Sequence, residues 1–450
     1  MTRPKSRQAQ FRKAQAGPLQ AGGRLSGSPQ AEQSQATPPR LILYSLGFLA
    51  FFLFGLIQAG YGPAYPNLGR EYGQSVTVVG TVASLHFTGS AIGTLLLGVL
   101  LTRLSLRSSL MAAALGLLSG LLGVALSPVW AGVLAGATLS GLAYGMLSAG
   151  FNLAFAELGA GPSNLVNGLF GVGSVVSPVL VTLLVRTSHA PPFLLMAGLA
   201  AGLALGVRLL WPRPVQPRPV QFRPGARPEL EPERPVSADR PNSAAADLSS
   251  PPGLAPRLSR PIFTLFGLCF FLYVGIEAGF GNWATTYFTR LESARPALLT
   301  SFYWLALTAG RFTAAAVGSR FPAVQVLVFA TVGTVLGSSV MLLSGLNLIA
   351  SGLAPYGLVL AGFCVAPTFS TQLAWFTRSQ PPRLAPYMLT LGSLGGALLP
   401  ALTGLALPRI GLLSVPLVPL LIAVLLLLTV VLLTRRLKNA DPRQATRHLS

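Results

Sequence analysis

Residues 51–65, FFLFGLIQAGYGPAY, return at residues 270–284 as FFLYVGIEAGFGNWA, with seven of fifteen positions identical and no gap. Each copy lies in the first long apolar run of its half, so the chain reads as a duplicated unit whose two copies run in the same direction. A second pair supports this. GTLLLGVLLTRL from Gly93 and GRFTAAAVGSRF from Gly310 each place an arginine, Arg103 or Arg320, ten residues after the glycine and directly after a hydroxyl residue. Such a duplication restricts the fold to two like halves and places a shared site where they meet.

The medium around those halves is lipid. The chain is 52% apolar and 10% charged with a mean hydropathy of +0.62, whereas a soluble domain carries roughly 25% charged residues. Crossing a bilayer takes roughly 20 apolar residues per helix, and such runs fall at about 41–65, 77–102, 108–126, 129–158, 164–186 and 192–211, then at 261–289, 297–319, 323–344, 347–377, 384–407 and 411–434. The expected fold is therefore an all-α membrane protein with twelve transmembrane helices in two pseudo-symmetric six-helix bundles, 41–211 and 261–434.

Net charge is +21, but the cations cluster outside the spans: of 32 Lys and Arg, seven lie in residues 1–40, nine from Arg208 to Arg260 and five after residue 434. That placement argues against nucleic acid as a partner. Residues 1–40 and the Pro/Arg-rich stretch 212–260 lack the composition to bury a core and read as a disordered tail and linker, and residues 435–450 as a basic tail. All three basic segments fall on one side of the membrane, which by the positive-inside rule is the cytoplasm. Residues 1–40 lack the apolar core and cleavage site of a secretory signal, so the first span is expected to be retained. Cys269 and Cys364 sit singly within spans and three histidines are scattered, so neither a disulfide, a metal site, a cofactor nor a hydrolytic constellation is expected.

Gly98, Val99, Leu100, Leu101, Thr102, Arg103, Leu104, Ser105, Leu106 and Arg107 follow the form GxLaDRxGRR. With the two six-span halves and long central loop, this resembles the major facilitator superfamily, although Thr102 replaces the usual Asp and Ser105 the usual Gly. The resemblance implies a secondary transporter that works by alternating access, and a cytoplasmic latch in which Arg103 or Arg107 pairs with Glu157; anchoring to lipid headgroups is the other reading of these arginines. LYVGIEAGFGNWATTYF from Leu272, SFYWLALTAGRF from Ser301, GFCVAPTFSTQLAW from Gly362 and GSLGGALLPALTG from Gly392 are similar to the fucose/glucose:proton symporter branch. That branch carries an acidic residue in its first helix, and residues 41–65 contain none.

At the position of Gln58 the second repeat has Glu277. A charge at mid-bilayer costs about 2.5–3.5 kcal/mol on insertion scales, and the neutral carboxyl is the cheaper form there, so Glu277 is the expected proton carrier. Arg311, deep in the eighth span, is its expected counter-ion; the alternatives are a static pair, a direct substrate ligand, or an anion site at Arg311. A two-arginine anion cage like that of the nitrate porters is not expected, because Thr94 occupies the related position. Amides and hydroxyls that fork onto sugar hydroxyls, with aromatic rings for the apolar faces, nominate Gln58, Tyr61, Asn152, Asn167, Tyr273, Asn282, Trp283, Gln372 and Trp375 for a small polar solute such as a sugar. His86 is either a relay or a satisfied core histidine. Gly60, Gly62, Gly275, Gly279 and Gly281 are expected to bend helices or let them approach. The expectation is a monomeric, proton-coupled carrier of small molecules in the cytoplasmic membrane and not an enzyme; a proton-driven exporter or a non-transporting sensor are the alternatives.

Overall fold

The computed structural model describes residues 39–158, 160–185, 188–212, 259–381 and 384–439. Most of the two segments expected as disordered, 1–40 and 212–260, and most of the basic tail 435–450, lie outside these residues. Residues 435–439 of the basic tail continue the last helix, where Arg436 and Lys438 complement the negative end of its dipole.

Fourteen α-helices follow in order: α1 (Arg40–Tyr72), α2 (Val76–Val79), α3 (Thr81–Leu100), α4 (Leu106–Leu126), α5 (Trp130–Ala156), α6 (Ala160–Leu184), α7 (Ala190–Leu210), α8 (Arg260–Arg290), α9 (Pro296–Val317), α10 (Ala323–Gly345), α11 (Ala354–Val365), α12 (Thr368–Ser379), α13 (Ala385–Ile410) and α14 (Ser414–Asn439). α2 and α3 share one crossing, as do α11 and α12, which part at Pro367, a residue without an N–H to continue the ladder. The result is twelve crossings, as the apolar runs predict. Ten stretches are apolar enough to cross by composition alone. One of these, Ala385–Asn439, turns at Gly411 (φ 61°) and crosses twice, and α9 with its arginine makes the twelfth.

Local chemistry sets the helix ends. Ser75 and Ser105 accept hydrogen bonds from the N–H groups of Val78 and Ser108, and Gly73 closes α1 in the left-handed conformation that glycine adopts without strain. α1 runs past residue 65 to Tyr72 through Pro63 and Pro66, which a packed membrane helix tolerates when its neighbours cover the freed carbonyls. Neither α1 nor α8 breaks at its glycines. These serve close approach instead: a side chain at Gly62 would meet the backbone oxygen of Asn282 at 2.4 Å, and one at Gly281 the Trp304 ring at 2.6 Å.

The two halves repeat one packing scheme. α1 lies against α6 as α8 lies against α13, α3 against α5 as α9 against α11, and α4 against α7 as α10 against α14. The glycines matched in the sequence occupy matched places, because a Cβ at Gly93 would strike the Leu142 oxygen of α5 and one at Gly310 the Phe363 oxygen of α11. Between halves the contacts are α1 with α8, α3 with α13 and α6 with α9, a set that maps onto itself when the halves are exchanged.

Six crossings bring each half back to its starting side, so the ends at Arg40, Leu210, Arg260 and Asn439 share one face, the terminal side. Tyr65 meets Trp283 and Thr77 meets Gly404 on the far side, and Phe87 meets Gly396 near mid-depth. Toward the terminal side, Leu95, Val99 and Tyr387 on the same pair of helices are exposed. The halves are sealed on the side away from the termini; toward the termini the α3–α13 edge exposes these side chains, while α6 and α9 stay in contact, with Phe312 beside Gly168.

Candidate functional site

Just past the midpoint of α8, Glu277 is buried with its side chain 8% exposed, while that of Arg311 is 32% exposed to the cleft. Arg311 Nη2 donates to Glu277 Oε1 at 3.2 Å and Oε2 at 3.0 Å, and to the Tyr273 hydroxyl at 3.2 Å. Tyr273, one turn before Glu277 on the same face, donates to Oε2. Tyr303 of α9 donates to the Glu277 backbone oxygen at 3.1 Å and ties the two helices together behind the pair. Across the cleft, the Arg311 guanidinium lies 5.8 Å from the centre of the Phe170 ring of α6, close enough for a cation–π contact. Arg311 and Glu277 thus form an ion pair in this conformation. Among the described residues only Nη2 is engaged, and the side chain is 32% exposed.

The matching part of the N-terminal half is uncharged. Gln58 takes the place of Glu277, is buried, and makes no side-chain hydrogen bond among the described residues. Tyr61 joins His86 and Ser140 in a buried triangle: its hydroxyl lies 3.2 Å from His86 Nδ1 and 3.3 Å from Ser140 Oγ, which are themselves 3.1 Å apart. Close packing of α3 on α5 makes this possible, since a Cβ at Gly141 would fall 2.0 Å from the His86 oxygen.

Several nominated ligands do other work in this conformation. Trp283 donates its indole N–H to the Pro400 oxygen at 2.8 Å, and its ring fills slots left by Gly80 and Gly404. It is part of the far-side seal. Asn282 is buried beside it with its Oδ1 unpartnered. Asn152 and Asn167 are exposed toward the terminal side and donate to the Ser148 and Ser163 oxygens of their own helices, each at 2.8 Å. Gln372 is 1% exposed with both amide atoms unpartnered, and Trp375 packs on Phe266 at 5.4 Å. Only Tyr273, Glu277 and Arg311 are brought together as a charged cluster, and Tyr61 joins a separate triangle.

The expected latch is not formed in this conformation. Arg107 spends its guanidinium on the end of α7, donating to the Trp211 oxygen at 3.0 Å and the Arg208 oxygen at 2.6 Å, because a helix C-terminus presents unpaired carbonyls. Arg103 and Glu157 are exposed, and neither arginine pairs with Glu157 among the described residues. Arg107→Ala should therefore lower stability by about 1–2 kcal/mol while Glu157→Ala changes it little, as thermal unfolding in detergent would read. Equal losses would restore the latch.

Sequence reasoning missed Phe170, Tyr303 and Ser140. Tyr303 lies in a stretch matched to the symporter branch and could have been nominated; nothing in its neighbours distinguishes Phe170. Among the described residues no three His, Cys, Asp or Glu side chains group as metal ligands do.

The backbone is similar to the xylose transporter XylE from E. coli in a partially occluded inward open conformation, with a TM-score of 0.65, 14% identity, and coverage of 86% of this chain and 96% of that one. The nucleoside transporter NupG gives 0.60 and 16%, with coverage of 88% and 98%. In sequence, the chain is 24% identical over 386 residues to Bypass of stop codon protein 6 of Saccharomyces cerevisiae, spanning 79% of this chain and 75% of the yeast protein. Residues 47–391, most of both halves, match the Major Facilitator Superfamily, and this chain, a multi-pass transporter and not an enzyme, belongs to it.

Proposed function

We propose that the protein carries a small, polar, uncharged organic solute, a sugar or a compound like one, together with protons, across the cytoplasmic membrane, as a monomer with both termini in the cytoplasm. The observation that carries this reading is the Glu277 carboxylate held at mid-helix by Arg311 and Tyr273 beside the cleft. A proton taken up by Glu277 cancels its charge and frees Arg311 Nη2, from which the solute's hydroxyls then accept. Loss of the proton restores the pair and expels the solute, which couples the two movements.

Orientation follows from the basic segments on the terminal side, so the conformation described above is open to the cytoplasm. The similarity to transporters of xylose and nucleosides supports a hydroxyl-bearing solute, and the matched stretches from Leu272 to Gly392 favour the fucose/glucose:proton symporter branch. Gln58 and Tyr273 are the nominated ligands this reading assigns to the solute. Arg103, Arg107 and Glu157 remain the residues proposed to guard the cytoplasmic mouth when it closes, with Arg107 exchanging the α7 carbonyls for Glu157.

The test is charge movement in proteoliposomes on a solid-supported membrane during concentration jumps of sugars, nucleosides, organic anions and lipophilic cations. A sustained current with a neutral hydroxylated solute supports the reading. Current with lipophilic cations alone would make the protein an exporter, and current with anions alone would make Arg311 an anion site.

A further inference from the structure

Two edges of the far-side seal are closed by protein: Tyr65 meets Trp283 where α1 adjoins α8, and Thr77 donates to the Gly404 oxygen where the crossing of α2 and α3 adjoins α13. The third edge, α6 with α9, is built differently. Toward the terminal side glycines bring these helices together, since a Cβ at Gly171 would fall 2.6 Å from Thr308 Oγ1 and one at Gly168 3.4 Å from Phe312 Cζ. Over the far half the same two helices part around a cavity of about 370 Å³. Val175, Val179 and Leu183, on one face of α6, form one wall, and Leu298, Phe302 and Leu305, on one face of α9, form the other. Among the described residues the polar side chain at its border is Ser301, whose hydroxyl oxygen is buried, so the lining offered outward is hydrocarbon. The groove opens on the outer surface of the bundle, with Leu183 58%, Phe302 43% and Leu305 49% exposed, and it lies within the span of both helices, where the surroundings are lipid chains rather than water.

We propose that this groove seats one acyl chain of a phospholipid from the far-side leaflet, lying between α6 and α9 with its methyl end at Val175 and Leu305, so that lipid completes the seal at the third edge. The length fits: from Val175 to Leu183 the helix rises about 12 Å at about 1.5 Å per residue, and one leaflet contributes about 15 Å of a roughly 30 Å hydrocarbon core. An empty apolar groove forfeits dispersion contacts along both walls. Helices in lipid associate by van der Waals fit, and by the same physics a chain held between two walls gains contacts that a single convex helix face does not offer. Because the chain touches both halves at once, any movement that changes the α6–α9 spacing must reseat or release it.

The experiment is photo-crosslinking of full-length protein in nanodiscs of phosphatidylcholine whose chain carries a diazirine, either near the glycerol or near the methyl end, with the labelled residues located by mass spectrometry. Label at the groove should exceed by at least about threefold that at Leu421 and Leu428, which are 59% and 54% exposed on α14. The glycerol-end probe should mark Leu183 and Leu298, and the methyl-end probe Val175 and Leu305. Val179→Trp fills the groove and should bring its label down to the α14 level. Phe302→Ala widens the groove and should raise the label, which keeps the test decisive if the tryptophan variant folds poorly. Equal labelling of the groove and α14, or a groove label that ignores both variants, would overturn the site. A reversed order of the two probes would overturn a chain from the far-side leaflet. Displacement of the label by tetraphenylphosphonium would make the groove an entrance for lipophilic cations and overturn the acyl-chain seat.

Discussion

Glu277→Gln should reduce accumulation of solute against its gradient to a ratio of about one while exchange at equal pH continues at a substantial fraction of the wild-type rate. Gln matches Glu in size and still offers an oxygen to Tyr273 and Arg311, so packing around α8 and α9 should survive. It cannot take up or release a proton, and therefore holds the site permanently in the state that the protonated carboxyl reaches transiently. Exchange needs only that state and its rocking; accumulation needs the cycle between charged and neutral forms. Glu277→Ala is expected to behave differently. Removing one partner of a buried ion pair typically costs 3–5 kcal/mol, and Arg311 would face the cleft without a counter-charge, so this variant should unfold at lower temperature as well as fail to accumulate. Uptake by reconstituted vesicles, with and without an imposed pH gradient, separates the outcomes. Undiminished accumulation by Glu277→Gln would remove Glu277 from coupling and leave it a structural pair.

How far the sequence discloses these features depends on the kind of contact. Glu277, Tyr273 and Arg311 were legible because a charged side chain in an apolar span needs a partner, and the four-residue spacing of Tyr273 and Glu277 puts both on one helix face. Duplication was legible for the same reason that the halves pack alike: Gly93 and Gly310 must both be small where α5 and α11 cross them. Arg107 shows the limit. Its acceptors are backbone carbonyls at the end of α7, which no residue type advertises, so the acidic Glu157 looked the better partner. Asn152 and Asn167 show another limit, since a side chain that bonds to its own helix reads in sequence like one offered to a ligand. Trp283 looked like a stacking platform because the glycines that receive it, Gly80 and Gly404, come from opposite halves and meet only in the folded protein.

Those two glycines define the second large effect. A Cβ at either position would fall 2.8 Å from Trp283 Cζ2, and the ring is held by its bond to the Pro400 oxygen and by Tyr65 at 5.3 Å. Gly404→Val should therefore prevent the far side from closing, at an overpacking cost of typically 1–3 kcal/mol, which moves a two-state equilibrium by roughly 5- to 150-fold. Because the clash exists only in the sealed conformation, the fold itself should tolerate the change; transport should fall by at least about tenfold and the far-side mouth should become open to water-soluble thiol reagents at an introduced cysteine. Adding Trp283→Ala empties the slot and should restore closure, and with it part of the transport rate, even though two residues of the seal are now altered. Recovery in the double variant is what separates a steric block of one conformation from simple damage to α13. If the double variant is no better than Gly404→Val, the ring does not act as the seal, and the contact of Thr77 with the Gly404 oxygen at 2.9 Å becomes the element that holds the far side shut.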